Sequence, residues 1–172
     1  PAGRARAKAA AALAASLPEL SIDDDPFFGT PKFVRSTRVF LTPPVGKDGQ
    51  GADATVLTAR YIADHAALFE IDPIEVVAAK VTRDFRTRHN GARHLTFQQQ
   101  IGGRDVFGCE VRANFTRDHE LINISSTMLP RPEGGFTAKP PVISASEAIM
   151  AAAANVGVRL SRTPETAEAG SA

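Results

Sequence analysis

The sequence predicts an α+β fold: an antiparallel sheet of about four to five strands packed against a helix, with helical segments at its N- and C-terminal ends. Three observations carry this. Apolar and polar residues alternate on either side of Gly102-Gly103 in the stretch His94 to Phe115, the period of strands with one solvated face. Apolar residues between Asp53 and Glu70 recur at helical spacing. Helix-start signals stand at Asp72-Pro73-Ile74-Glu75 and at Ser144-Ala145-Ser146-Glu147. Strands and helices fall in separate runs, the pattern of an α+β domain.

A chain of 172 residues makes one domain, or one domain with appendages, and can bury a core without covalent staples. Twenty Lys and Arg balance nineteen Asp and Glu, which argues against a nucleic-acid binder with its basic stripe. The one basic cluster, Arg4, Arg6 and Lys8, is short. No apolar run approaches the length of a membrane span, so no membrane is expected as a partner. The single Cys permits no internal disulfide and leaves the compartment open. Pro1 begins the sequence without an initiator Met, so the chain is expected to be a fragment or a processed product, and the missing signal peptide excludes nothing.

Along the chain, residues 1–26 read as an N-terminal extension, Ala-rich and helix-favouring to residue 16, then turn-forming over residues 18–31 with acids at Asp23, Asp24 and Asp25. Phe33 to Leu41 reads as a strand whose strongest part is Val39, Phe40 and Leu41, stopped by Pro43-Pro44. Gly46 to Gly51 reads as a flexible loop. From Asp53 to about Glu70 a helix places Val56, Ala59, Ile62, Ala63, Ala66 and Phe69 on its core face and Leu57, Tyr61 and Leu68 on a second stripe. A short helix to about Ala79 follows Asp72, and Val81 to Arg88 is a weaker strand near an edge. Asn90-Gly91 signals a two-residue hairpin. In the next strand Leu95, Phe97, Gln99 and Ile101 share one face, and His94, Thr96, Gln98 and Gln100 the other. Phe107, Cys109, Val111, Ala113 and Phe115 are expected inward on the strand after it, as are Ile122, Ile124 and Met128 on Leu121 to Met128. Residues 129–141 hold four prolines and two glycines and read as an irregular arm. Residues 142–160 hold a helix opened by Ser144 and stopped at Gly157, and residues 161–172 are polar, small and expected to be disordered.

No catalytic residues are assigned. HExxH, the phosphate-cradling glycine loop and the Gly-x-Ser-x-Gly elbow are all missing from the sequence. No cofactor and no metal site is expected. The acids at 23–25 lack the ligand spacing of a calcium loop, and His89 and His94, which flank the Asn90-Gly91 turn, lack the further ligands of a zinc site. Cys109, mid-strand on the inward side, is expected to act as a small hydrophobe. The sequons at Asn114 and Asn123 lie inside strands and are discounted as glycosylation sites.

The order His94-x-x-Phe97-x-Gln99-x-Ile101-x-Gly103-x-x-Val106-x-Gly108 resembles the core signature of the fungalysin/thermolysin propeptide motif. Gln98 and Gln99 match its paired glutamines, Gly103 its turn glycine, and Val106-Phe107-Gly108 the segment that follows; Asp105 stands where a proline is usual. Similar elements flank it: Phe28-Gly29-Thr30-Pro31-Lys32 before the first strand, Leu68-Phe69-Glu70-Ile71 at a helix end with Glu70 in place of a glycine, and the Ile143-Ser144-Ala145-Ser146-Glu147 helix start. The resemblance spans roughly residues 27–157, with the motif domain over 27–128.

The resemblance implies a cystatin-like helix-on-sheet prodomain of a secreted or cell-envelope zinc metallopeptidase. Such a segment is not itself an enzyme. It would inhibit the catalytic domain and assist its folding by protein contact, in cis or after cleavage, with the catalytic domain downstream or on a separate chain. His94, Phe97, Gln98, Gln99, Gly103, Val106 and Gly108 would be structural motif residues. The arm 129–141 and the wet sheet face would make the contacts, with Arg131 and Glu133 as contact candidates. A stand-alone interaction module of the cell envelope with the same fold is the alternative.

Overall fold

The structure, a computed structural model, describes residues 2–45, 53–131, 135 and 139–165. It divides into two compact units, residues 1–137 and residues 138–172.

The first unit is a six-stranded antiparallel sheet in the order β1-β2-β6-β5-β4-β3, with four helical segments. The strands are β1 (Leu20–Asp24), β2 (Pro31–Ser36), β3 (Lys80–Arg86), β4 (Arg93–Ile101), β5 (Arg104–Phe115) and β6 (Leu121–Ser126). The helices are α1 (Ala2–Ser16), α2 (Ala54–Asp64), α3 (Ala66–Phe69) and α4 (Pro73–Ala78). One face of the sheet is apolar: Val34, Leu95, Phe97, Val111, Ala113, Phe115, Leu121 and Ile124 form one core with Leu13 of α1, Tyr61 and Ile62 of α2, Leu68 and Phe69 of α3 and Val76 of α4. The N-terminal helix is held by Leu13 in that core and by an Arg6–Glu70 ion pair at 2.9 Å. The Arg6 guanidinium sits 2.7 Å from where a Cβ on Gly29 would stand, and Gly29 is at φ 67°, a left-handed backbone that glycine adopts without strain.

The hairpin β4–β5 turns at Gly102 and Gly103, both at positive φ (58° and 74°), with Ile101 paired to Arg104. Asp53 caps α2 and Asp72 caps α4, each carboxylate accepting a backbone N–H two residues on. β3 is an edge strand, every residue of it exposed.

Several elements differ from the sequence expectation. Residues 18–31 contain a strand, β1, which hides in the sequence because Leu20 and Ile22 are its whole apolar signal. The strand from Phe33 stops at Ser36, since Ser36 Oγ accepts from the N–H of Arg38 and of Val39 and turns the chain. Val39 and Phe40 are exposed; Leu41 alone is buried. The helix from Asp53 breaks at His65 and ends at Glu70 in the left-handed conformation (φ 55°). Its buried face is Ala54, Thr58, Ala59, Tyr61 and Ile62, while Val56, Ala63 and Ala66 are exposed. Thr58 belongs in the core because its hydroxyl donates to Ala54 O at 2.7 Å.

The β3–β4 connection is a loop over residues 87–92, closed by Thr87 N–H to Ala92 O, rather than a two-residue turn. Phe107 points out to solvent, because four residues of β5, 106–109, stand opposite Gln99 alone and break the alternation. Ile122 is the extra residue of a second bulge, between the pairs Asn114–Asn123 and Phe115–Leu121, so Leu121 takes the inward place. The loop at 46–51 lies outside the described residues, as does residue 133.

The second unit contains α5 (Ala145–Asn155), opened by a full capping box between Ser144 and Glu147 and followed by Gly157 at φ 75°. Ser146 Oγ donates to Pro164 O at 2.7 Å within the same unit.

Candidate protein-docking face

The second face of the sheet is polar and open, and strand pairing assembles it from rows of residues that are far apart in sequence. One row runs Phe85, His94, Asn114, Asn123, Arg35 across five strands. The next runs Arg83, Thr96, Arg112, Ser125, Phe33 and ends at Asp23 of β1. Gln98 and Glu110 pair in the row beyond.

Side chains in the first row are fixed to one another. His94 Nδ1 donates to Asn114 Oδ1 at 2.6 Å, and Asn114 Nδ2 donates to Asn123 Oδ1 at 2.6 Å. The other ring nitrogen of His94 bonds the Thr87 hydroxyl at 2.9 Å, and the ring stacks on Phe85. In the second row the Arg112 guanidinium pairs with Glu110 at 2.7 Å but stays largely exposed, a surface pair of small energetic weight.

Two shallow hollows lie over this face and share Glu110 and Arg112. The larger, about 1010 Å³, is rimmed by Asp23, Asp24, Lys32 and Phe107. Phe107 is fully exposed, a large aromatic held out from the bulge onto the rim. The bulge has a rigid base: Gln98 Nε2 donates to Val106 O (2.6 Å) and Cys109 O (3.0 Å), and Thr127 Oγ1 donates to Gly108 O (2.7 Å). Gly108 sits at φ 72° with no atom near an added Cβ, so it is conformation and not space that asks for glycine there.

Each motif residue therefore has a defined place. Phe97 is core, Gly103 turns the hairpin, His94 ties three strands, and Val106, Gly108 and Gln98 build the bulge. Gln99 is buried at 1% exposure and bonds the backbone of Leu129. Arg131 pairs with Asp72 at the start of α4. The structure thus brings the motif residues together on β4 and β5 and places Arg131 beside α4. Phe107, expected inward from the alternation, stands in solvent, and the adjacent Gly108 is its one sequence signal of a bulge.

Cys109 is buried, and burial pushes its thiol pKa up, away from reactivity. The three acids are parted: Asp23 and Asp24 end β1, whereas Asp25 Oδ1 accepts from the N–H groups of Phe27 and Phe28 in the next turn. Among the described residues no three His, Cys, Asp or Glu side chains are grouped to hold a metal ion, and no helix is long and apolar enough to cross a membrane.

Residues 78–128 match the family model described as Fungalysin/Thermolysin Propeptide Motif. The match runs from the last residue of α4 through β3, β4, β5 and β6 to Met128, and so takes in four of the six strands that build the open face. The family is one of propeptides, not of catalytic domains. A search of curated proteins finds none that matches the chain.

Proposed function

We propose that this chain, whose residues 78–128 match the fungalysin/thermolysin propeptide motif, is the prodomain of a secreted or cell-envelope zinc metallopeptidase. It binds the catalytic domain, holds it inactive and assists its folding, in cis or after cleavage. The observation that carries this reading is the coincidence of the matched segment with the open sheet face. A sheet packed against helices on one side and, among the described residues of the first unit, open on the other offers a firm, preformed surface. That costs little conformational entropy on docking.

The wet rows and the Phe107 rim make the contact in this reading, and the arm from residue 129 adds to it. Phe107 has the character of an interface anchor: aromatic, fully exposed, and seated on a hydrogen-bonded bulge beside Arg112.

Phe107→Ala tests the face. Removing an exposed side chain should leave folding stability within about 0.5 kcal/mol of wild type. Binding to the cognate metallopeptidase, measured by calorimetry, should weaken by about tenfold or more, the scale of a lost hot spot. Unchanged affinity for both Phe107→Ala and Arg112→Ala would move the contact off this face.

A further inference from the structure

The buried amide of Gln99 has a use that the sheet does not explain. Its side chain lies on the apolar face of β4, at 1% exposure, in line with Leu95 and Phe97. A leucine or methionine would fill that place without any polar group to satisfy. Instead Gln99 Oε1 accepts from the N–H of Leu129 at 3.0 Å, and Nε2 donates to the Leu129 carbonyl at 3.3 Å. The amide pairs with Leu129 as a neighbouring strand would, just past the end of β6.

Two residues on, the chain is tied again. The N–H of Arg131 donates to Glu70 O at 3.0 Å, a carbonyl freed where α3 ends in the left-handed conformation. The Arg131 guanidinium pairs with Asp72 Oδ2, while Asp72 Oδ1 caps α4 at Ile74 N–H. Leu129 to Arg131 is thus bonded to β4, to the end of α3 and to the start of α4 within three residues.

We propose that Gln99 is a positioning residue that, with Glu70 and Asp72, anchors the root of the Pro/Gly-rich arm and so sets where the arm begins its contact with the metallopeptidase. The proposal rests on the prodomain reading above. An arm with a fixed root has less freedom to lose on binding. Ordering backbone that is free before binding opposes binding. Freeing Leu129 to Arg131 should therefore weaken inhibition by about tenfold or more.

The test uses the full chain, amide hydrogen exchange and inhibition of the mature cognate metallopeptidase as the probe. In wild type the Leu129 and Arg131 amides should be protected. Gln99→Met should expose Leu129, and Asp72→Asn, which keeps the cap, and Arg131→Gln should loosen Arg131. Protection at Phe97 and Val111 in the sheet should persist in all three. Should Gln99→Met unfold the sheet, the two surface variants carry the test.

Lost protection at 129–131 together with weakened inhibition supports the anchor. Lost protection with unchanged inhibition overturns its positioning role, and unprotected Leu129 and Arg131 in wild type overturn the anchor itself. If wild type binds no metallopeptidase while its arm root is protected, the prodomain reading fails and the positioning role falls with it.

Discussion

Two carboxylates give opposite pH signatures. Asp84 accepts a two-pronged bond from Arg93, at 2.8 and 2.7 Å, and that bond first, with the guanidinium charge, holds its carboxyl below the ordinary range. Its folded pKa is lowered, so its contribution is present above the unfolded value and fades as pH falls. Glu75 has one carboxylate oxygen buried without a partner among the described residues. Burial pushes its pKa above the ordinary 4.5, and the neighbouring Asp72 adds to this, while Arg131 and Gln99 oppose it. Its contribution is then present below the unfolded value and lost as pH rises through the folded one. Glu75→Gln should accordingly raise the melting temperature at pH 7 and leave it unchanged near the acid end. A melting temperature that drops at pH 7 would show that the ionised form is needed.

At the scale of elements, the bulge on β5 is the sharpest case. Gly108→Ala meets no atom, so its cost is the left-handed backbone alone, about 1–2 kcal/mol, read by chemical denaturation. A neutral result would mean that the bulge relaxes. The hairpin at Gly102-Gly103 and the caps at Asp53, Asp72 and Ser144 were legible because each is a local rule obeyed locally. What was not legible depends on partners remote in sequence or on a local break in phase. The five-residue strand β1 exists only through pairing with β2. The helical stripe from Val56 to Phe69 assumed one helix, and the break at His65 resets its phase. Val39-Phe40-Leu41 has strand composition, yet the Arg38 and Val39 amides are taken by Ser36 Oγ, and the Leu41 N–H makes a single bond to Leu121 O of β6.

At the scale of the molecule, the motif was legible as an order of residues and the wet face as a contact surface, but the way that face is assembled was not. His94, Asn114 and Asn123 lie on three strands and read separately, the first as a motif residue and the other two as discounted sequons. Folded, they are one hydrogen-bonded row on the open face. Arg131 reads as a contact candidate in an irregular arm, and it is paired to Asp72, fifty-nine residues earlier. No local rule links such positions; the register does.

The most direct test of the central claim is a titration of the purified chain into mature cognate zinc metallopeptidase, following peptide hydrolysis. Activity should fall as chain is added, reach its minimum near equimolar, and return when the chain is digested. Full activity in the presence of excess folded chain, with no complex by light scattering, would contradict the claim.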